Sequence, residues 1–178
     1  KELSRFIESQ STVYEAHSTD YQTRAALQNL VRDQFAILKV GPSLTFAFRE
    51  AVFALAMIEN ELIKEDLRSN IIHVLDDVMV KHPEHWQKYY RGAEAEQAFK
   101  RKYSLSDRAR YYWVQPEVQK AFARLMNNLG EKILPYSLLS QFVGDIELNA
   151  EQVIERKISK VLNDYMSAYG RTETELLK

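Results

Sequence analysis

Residues Val13–Pro42, VYEAHSTDYQTRAALQNLVRDQFAILKVGP, constrain this chain more than any other stretch. Val13-Tyr14-Glu15-Ala16 is a short β-prone run, and the polar cluster His17-Ser18-Thr19-Asp20 ends it. Leu27, Leu30 and Val31 recur at helical spacing, and Phe35–Val40 is a second run rich in apolar residues, closed by Gly41-Pro42. Strand, loop, helix and strand at this spacing predict a βαβ unit. Its strands lie parallel, because the crossover helix packs back onto the sheet. In such units the chemistry sits at the carboxyl ends of the strands. Here those ends carry His17-Ser18-Thr19-Asp20 and Lys39-Val40-Gly41-Pro42.

The rest reads as helical. Leu3, Phe6 and Ile7 already keep helical spacing, so the chain is expected to open inside a helix and to be cut from a larger α/β domain, since two strands make no stable sheet alone. Pro42 suits a first helical turn, and the helix to about Ile63 is apolar on nearly every side. Either Arg49 or Glu50 on it must then be buried and paired with another segment, the strand-end loops being candidates. Leu67, Ile71, Leu75, Val78 and Met79 form an amphipathic stripe stopped at His82-Pro83. Pro83–Tyr90 reads as a short aromatic helix, Ala93–Lys102 as a charged one, and Ser104-x-x-Asp107 as a capping box starting a helix through Trp113. Pro116 opens the next helix and Gly130 stops it; a short piece follows at Pro135–Val143. Asn149 with Gln152 caps the last long helix, and Arg171–Lys178 is expected to fray.

Composition narrows the functional classes. A net charge of −1 over 178 residues gives no basic field to recruit nucleic acid or an acidic membrane. There are no cysteines, so disulfides, thiolate metal sites and cysteine nucleophiles are excluded. Ala51–Ile58, the most apolar stretch, is too short to span a bilayer, and no signal-peptide pattern is visible; the cytoplasm is the expected compartment. Only five glycines occur, and neither the P-loop, the dinucleotide loop, the G-x-S-x-G elbow nor H-E-x-x-H is present.

Four groups of residues can carry chemistry. His17 can ligate a metal or act as a general acid or base, or it can be held in the loop by a neighbouring carboxylate. Ser18 and Thr19 can donate to a phosphate or cap the next helix, a role open equally to Asp20 and Thr23. Lys39 can pair with an anion at the strand end or reach to solvent. Arg108 and Arg110, beside Tyr111-Tyr112-Trp113, can grip a sugar phosphate or simply pack an aromatic helix. His82-Pro-Glu-His85 reads as a surface turn, because proline breaks the helix that would align two imidazoles.

EAHSTDYQT (Glu15–Thr23), FAILKVGPSLTFAFREAVFALA (Phe35–Ala56), HWQKYY (His85–Tyr90) and YSLSDRARYYW (Tyr103–Trp113) resemble the C-terminal part of the non-catalytic subunit of class II D-tagatose-1,6-bisphosphate aldolase. The similarity runs from about Phe6 to Tyr169. It implies the last two βα units of a TIM (β/α)8 barrel over residues 1–64, followed by a mainly helical C-terminal extension over 65–178, packed together without a linker. It also implies a stabilising rather than catalytic role beside a zinc-dependent catalytic class II subunit, in an oligomer that splits tagatose 1,6-bisphosphate during galactitol or N-acetylgalactosamine catabolism. In the catalytic relatives the seventh strand ends in a zinc-ligating histidine followed by glycines and a phosphate-binding serine. His17 stands in that metal place, with Ser18, Thr19 and Asp20 where the glycines would be. Zinc is therefore expected on the partner, and His17 as a vestigial ligand. Ser18, Thr19, Asp20, Lys39, Arg108 and Arg110 are the candidate sugar-phosphate contacts. The alternative is a metal-dependent sugar-phosphate lyase in its own right, or a tagatose-6-phosphate kinase, a label the family has also carried; the missing phosphate loop does not support the kinase.

Overall fold

A computed structural model describes residues 2–170. In chain order it contains α1 (Glu2–Glu8), β1 (Tyr14–Ala16), α2 (Arg24–Arg32), β2 (Phe35–Leu38), α3 (Pro42–Leu62) and α4 (Ile71–Lys81). Then come α5 (Glu94–Tyr103), α6 (Pro116–Leu129), α7 (Tyr136–Phe142) and α8 (Ala150–Ala168), with short 3-10 turns at Glu65–Leu67, Pro83–His85 and Arg108–Tyr111. Two compact units divide the chain: residues 1–44 with 158–178, and residues 45–157. The expected fraying of Arg171–Lys178 lies outside the described residues.

The first unit holds the parallel pair the sequence predicts. Tyr14 stands opposite Phe35, Glu15 opposite Ile37 and Ala16 opposite Leu38, with an irregularity after Tyr14. The Tyr14 and Phe35 rings meet at 5.3 Å. Lys39 N donates to Ala16 O at 2.9 Å and carries the pairing one step past the strands. Of the possible caps for α2, Thr23 is the one used: its hydroxyl accepts from Ala26 N at 3.2 Å. Leu27 is the side chain α2 buries, and Gln34 turns through a left-handed φ of 70° to start β2.

The second unit is a helical assembly around one core. Val52, Leu55 and Ile58 of α3, Ile71, Leu75 and Met79 of α4, and Val118 and Leu125 of α6 have essentially no exposed surface. Leu139 of α7 and Val153 of α8 complete it. The buried charges have polar partners. Glu59 accepts from Ser69 N at 3.0 Å and from Asn128 Nδ2 at 2.6 Å. Arg101 meets Asp76 at 2.7 Å beneath the Trp86 ring. Arg49, 2% exposed, lies 3.3 Å from Asp107 Oδ1, so the expected partnership exists, but with the segment before the Arg108–Tyr111 turn rather than a strand-end loop. Gly130, at φ 63°, ends α6 in the left-handed region that glycine adopts freely. Asn149 and Gln152 form a reciprocal capping box on α8, each backbone N–H donating to the other's side-chain oxygen at 3.0 and 2.9 Å.

Three local expectations are corrected. Leu67 does not join the α4 stripe: it sits in a 3-10 turn and is 52% exposed, because Arg124 and Asn128 bind its carbonyl and hold the segment off the helix. Pro83–Tyr90 is a 3-10 turn followed by irregular chain, since the Trp86 Nε1–H donates back to Met79 O at 2.6 Å and folds the segment onto the end of α4. Ser104-x-x-Asp107 is not a capping box. Asp107 is in the left-handed region at φ 44° with its carboxylate turned inward to Arg49, and only a 3-10 turn follows.

Candidate functional site at the strand ends

In the first unit, β1 and β2 present their carboxyl ends side by side, and the polar residues there bind one another. Glu15 is the hub. Its Oε1 is 2.6 Å from His17 Nε2 and 2.8 Å from Lys39 Nζ. Donation from Lys39, then from His17, holds the Glu15 carboxyl below its ordinary range. Thr19 is buried; its hydroxyl donates to Lys39 O at 2.7 Å, and Tyr165 on α8 donates to Thr19 O at 2.9 Å. Asp20 Oδ1 accepts from Gly41 N, Ser43 N and Ser43 Oγ at 2.9, 2.9 and 2.8 Å. Partial burial pushes the Asp20 carboxyl up, but these donors outweigh it and hold it below its ordinary value. Asp20 thus places a carboxylate at the N-terminus of α3, where free N–H groups and the helix dipole favour an anion.

Ser18 takes a left-handed φ of 56° and is exposed. A hollow of about 400 Å³ beside it is walled by His17, Ser18, Thr19, Gln22, Asn29 and Asp33, among others, and Lys39 is not on its wall. Among the described residues no three His, Asp or Glu side chains converge where a metal ion can sit. His17 and Glu15 supply two donors, one fewer than a catalytic zinc takes from protein. The described residues therefore do not fit a zinc centre by themselves.

Arg108 and Arg110 belong to the second unit. Arg110 donates to Ser106 O at 2.6 Å and to the Tyr111 hydroxyl at 2.9 Å. The Arg108 guanidinium lies 3.5 Å over the Tyr89 ring. Tyr112 is fully buried and donates to His82 O, while His85 stacks on Tyr111 at 4.8 Å. Sequence reading missed Glu15, Ser43 and Tyr165. A charge between Tyr14 and Ala16 in a strand was a usable signal for Glu15. Tyr165, 146 residues from Thr19, read as one more residue of a helical stripe.

A parallel βαβ unit with a polar, self-bonded carboxyl end defines the class of structure. Residues 1–170 match the family described as D-tagatose-1,6-bisphosphate aldolase subunit GatZ/KbaZ-like, and the chain belongs to that family. It is 51% identical over 174 residues to the D-tagatose-1,6-bisphosphate aldolase subunit GatZ of Klebsiella pneumoniae subsp. pneumoniae, covering 93% of this chain and 41% of that protein. Against the subunit of the same name from Salmonella dublin the identity is 47%, with the same coverage. The chain thus spans about two fifths of the curated relatives it matches. A crystal structure described as a probable tagatose 6 phosphate kinase from Sinorhizobium meliloti 1021 is similar at a TM-score of 0.88 and 41% identity, covering 94% of this chain and 46% of that one. No described helix is long and apolar enough to cross a membrane.

Proposed function

We infer that this chain is part of a non-catalytic aldolase subunit, which stabilises a catalytic class II D-tagatose-1,6-bisphosphate aldolase subunit and does not itself cleave the sugar. One observation carries the reading: the groups standing where a metal and a phosphate would be held are committed to each other. His17 and Lys39 share Glu15, Thr19 binds the backbone of the neighbouring strand end, and Asp20 fills the α3 N-terminus. A phosphate arriving there meets a resident carboxylate and is repelled. The site is a clasp between two strand ends. Asp20, Thr19 and Lys39 are its members, Ser18 faces the adjacent hollow, and Arg108 and Arg110 hold a local aromatic turn.

Within this reading the two strands are the seventh and eighth of a (β/α)8 barrel ending near residue 64, and 65–178 is its helical extension. The exposed Ile37 of β2 and Val13 just before β1 support it, because the further strands and helices of a barrel would cover them. Its setting is a cytoplasmic oligomer in galactitol or amino-sugar catabolism, with zinc on the partner.

The test uses the intact protein, alone and with a catalytic class II subunit. Alone it should neither cleave tagatose 1,6-bisphosphate nor phosphorylate tagatose 6-phosphate from ATP; added to the partner, it should raise cleavage and slow the partner's inactivation. Cleavage or kinase activity by the protein alone overturns the reading in favour of a sugar-phosphate enzyme.

A further inference from the structure

The second unit contains a hollow of about 310 Å³ that the strand-end clasp does not use. Its floor is apolar: Phe46, Phe53, Met57, Ile72 and Phe142. Arg49, Glu50, Lys102 and Lys157 also line it. Size and lining match a small-molecule site, which is mainly apolar with a few placed polar groups. Three cations face one carboxylate. The Lys102 and Lys157 side chains make no hydrogen bond or ion pair among the described residues. Arg49 differs: its guanidinium is held by Asp107 and Ser104 O and lies 4.5 Å over the Phe46 ring.

We propose that this hollow binds a small organic carboxylate with an aromatic or branched aliphatic body. The body sits on the phenylalanine and methionine side chains, and Lys102 and Lys157 take the carboxylate with their ammonium groups. An apolar floor offers nothing to the hydroxyls of a sugar and leaves them without partners. Phosphate is recognised best by a bidentate arginine fork or a run of backbone N–H groups. Arg49, the one arginine on this lining, is 2% exposed and is drawn toward Asp107 and Ser104 O rather than presented as an open fork, and inorganic phosphate has no apolar body for the phenylalanines, so the lining selects an organic carboxylate.

Met57 is one of four methionines and is the one on the floor, so methyl-labelled methionine provides a local reporter in the intact protein. Phenylacetate should shift the Met57 signal saturably, with a Kd on the order of 1 mM or tighter. Phenylacetamide, of the same shape without the charge, should bind about tenfold or more weakly, as should phenylacetate to the Lys102→Gln, Lys157→Gln double variant. Inorganic phosphate and tagatose 6-phosphate should leave Met57 unmoved. An unmoved Met57 at about 20 mM phenylacetate, roughly twentyfold above the expected Kd, overturns the proposal. Equal binding of acid and amide, or a phosphate response as strong as the carboxylate's, overturns it equally. None of these readouts depends on aldol cleavage, so their failure is distinct from failure of the subunit assignment.

Discussion

The two units use buried polar groups in opposite ways. In the first unit the apolar interior is slight, with Ile7, Ala16, Leu27 and Ala168 the buried hydrophobic members among its described residues. Segments far apart in sequence are tied there by hydrogen bonds: Thr19 to Lys39 O and to Tyr165, Asp20 to Gly41 and Ser43, and Tyr169 to Ala36 O. In residues 45–157 a continuous apolar cluster runs through α3, α4, α6 and α7, and the few buried charges each have polar partners: Arg49 has Asp107, Arg101 has Asp76, and Glu59 has Ser69 and Asn128. The carboxyls show the contrast. Asp20 sits among donors and is held below the ordinary range. Burial lifts Asp107 above it despite Thr45 and Arg49. A polar clasp holds position without much burial; an apolar core tolerates charge only where an opposite charge or hydrogen-bond donors meet it.

The largest test of this contrast is Asp107→Ala. It leaves Arg49 buried beside an empty place, and losing one member of a buried pair costs about 3–5 kcal/mol. Replacing both, with Arg49→Met added, should recover much of that loss. Chemical denaturation measures both, and a single-variant cost below about 1 kcal/mol would break the account of the core.

Next in size is a pair of truncations. Leu125→Ala, at a side chain with no exposed surface, should cost about 2–5 kcal/mol. Ile37→Ala, at a strand residue 45% exposed, should cost under about 0.5 kcal/mol in this chain. Equal costs would mean that the two units are not packed differently.

Asp20→Ala removes an acceptor used by three donors and should cost roughly 1.5–3 kcal/mol, the range for hydrogen bonds to a charged group. Faster amide exchange at Gly41 and Ser43 should accompany it, with the core of the second unit unaffected.

The smallest effect is pH dependence, and here the carboxyls act with opposite signs. Asp20 stays charged to lower pH in the fold than in the unfolded chain. Its contribution is complete above the ordinary carboxylate range near pH ~4 and is lost as pH falls through the lower folded value. Asp107 has a raised folded value, so its linkage contribution is present below the unfolded value and is lost as pH rises through the folded one. Between about pH 5 and 3, Asp20→Asn should therefore flatten the acid loss of stability, and Asp107→Asn should steepen it. Thermal melts at both pH values decide this, and parallel slopes for the wild type and both variants would contradict it.

Much of this contrast was legible in the sequence, for reasons that vary by element. Strand, helix and strand over Val13–Val40 could be read because apolar runs, a capping Thr23 and Gly41-Pro42 are local signals. The α8 capping box and the Gly130 stop are local in the same way. A charge on an all-apolar helix announced the burial of Arg49, yet its partner was misplaced, because Asp107 is set by tertiary packing 58 residues on. The same packing overrode propensity at Pro83–Tyr90, where one Trp86 hydrogen bond folds the chain away from a helix. At the strand ends the residue types were identified, but not that they face one another; that needed Tyr165 and Ser43 from distant helices.

The central claim is that the strand-end polar groups support structure and do no chemistry. It is tested most directly by His17→Ala in the assembled pair of the intact protein and a catalytic class II subunit, measuring bound zinc and the rate of tagatose 1,6-bisphosphate cleavage together. His17 reaches Glu15 and, among the described residues, no convergent metal site, so both quantities should stay near wild type. Loss of one zinc per pair with a hundredfold or greater fall in rate, about 2.7 kcal/mol at the barrier, with assembly intact, would contradict it.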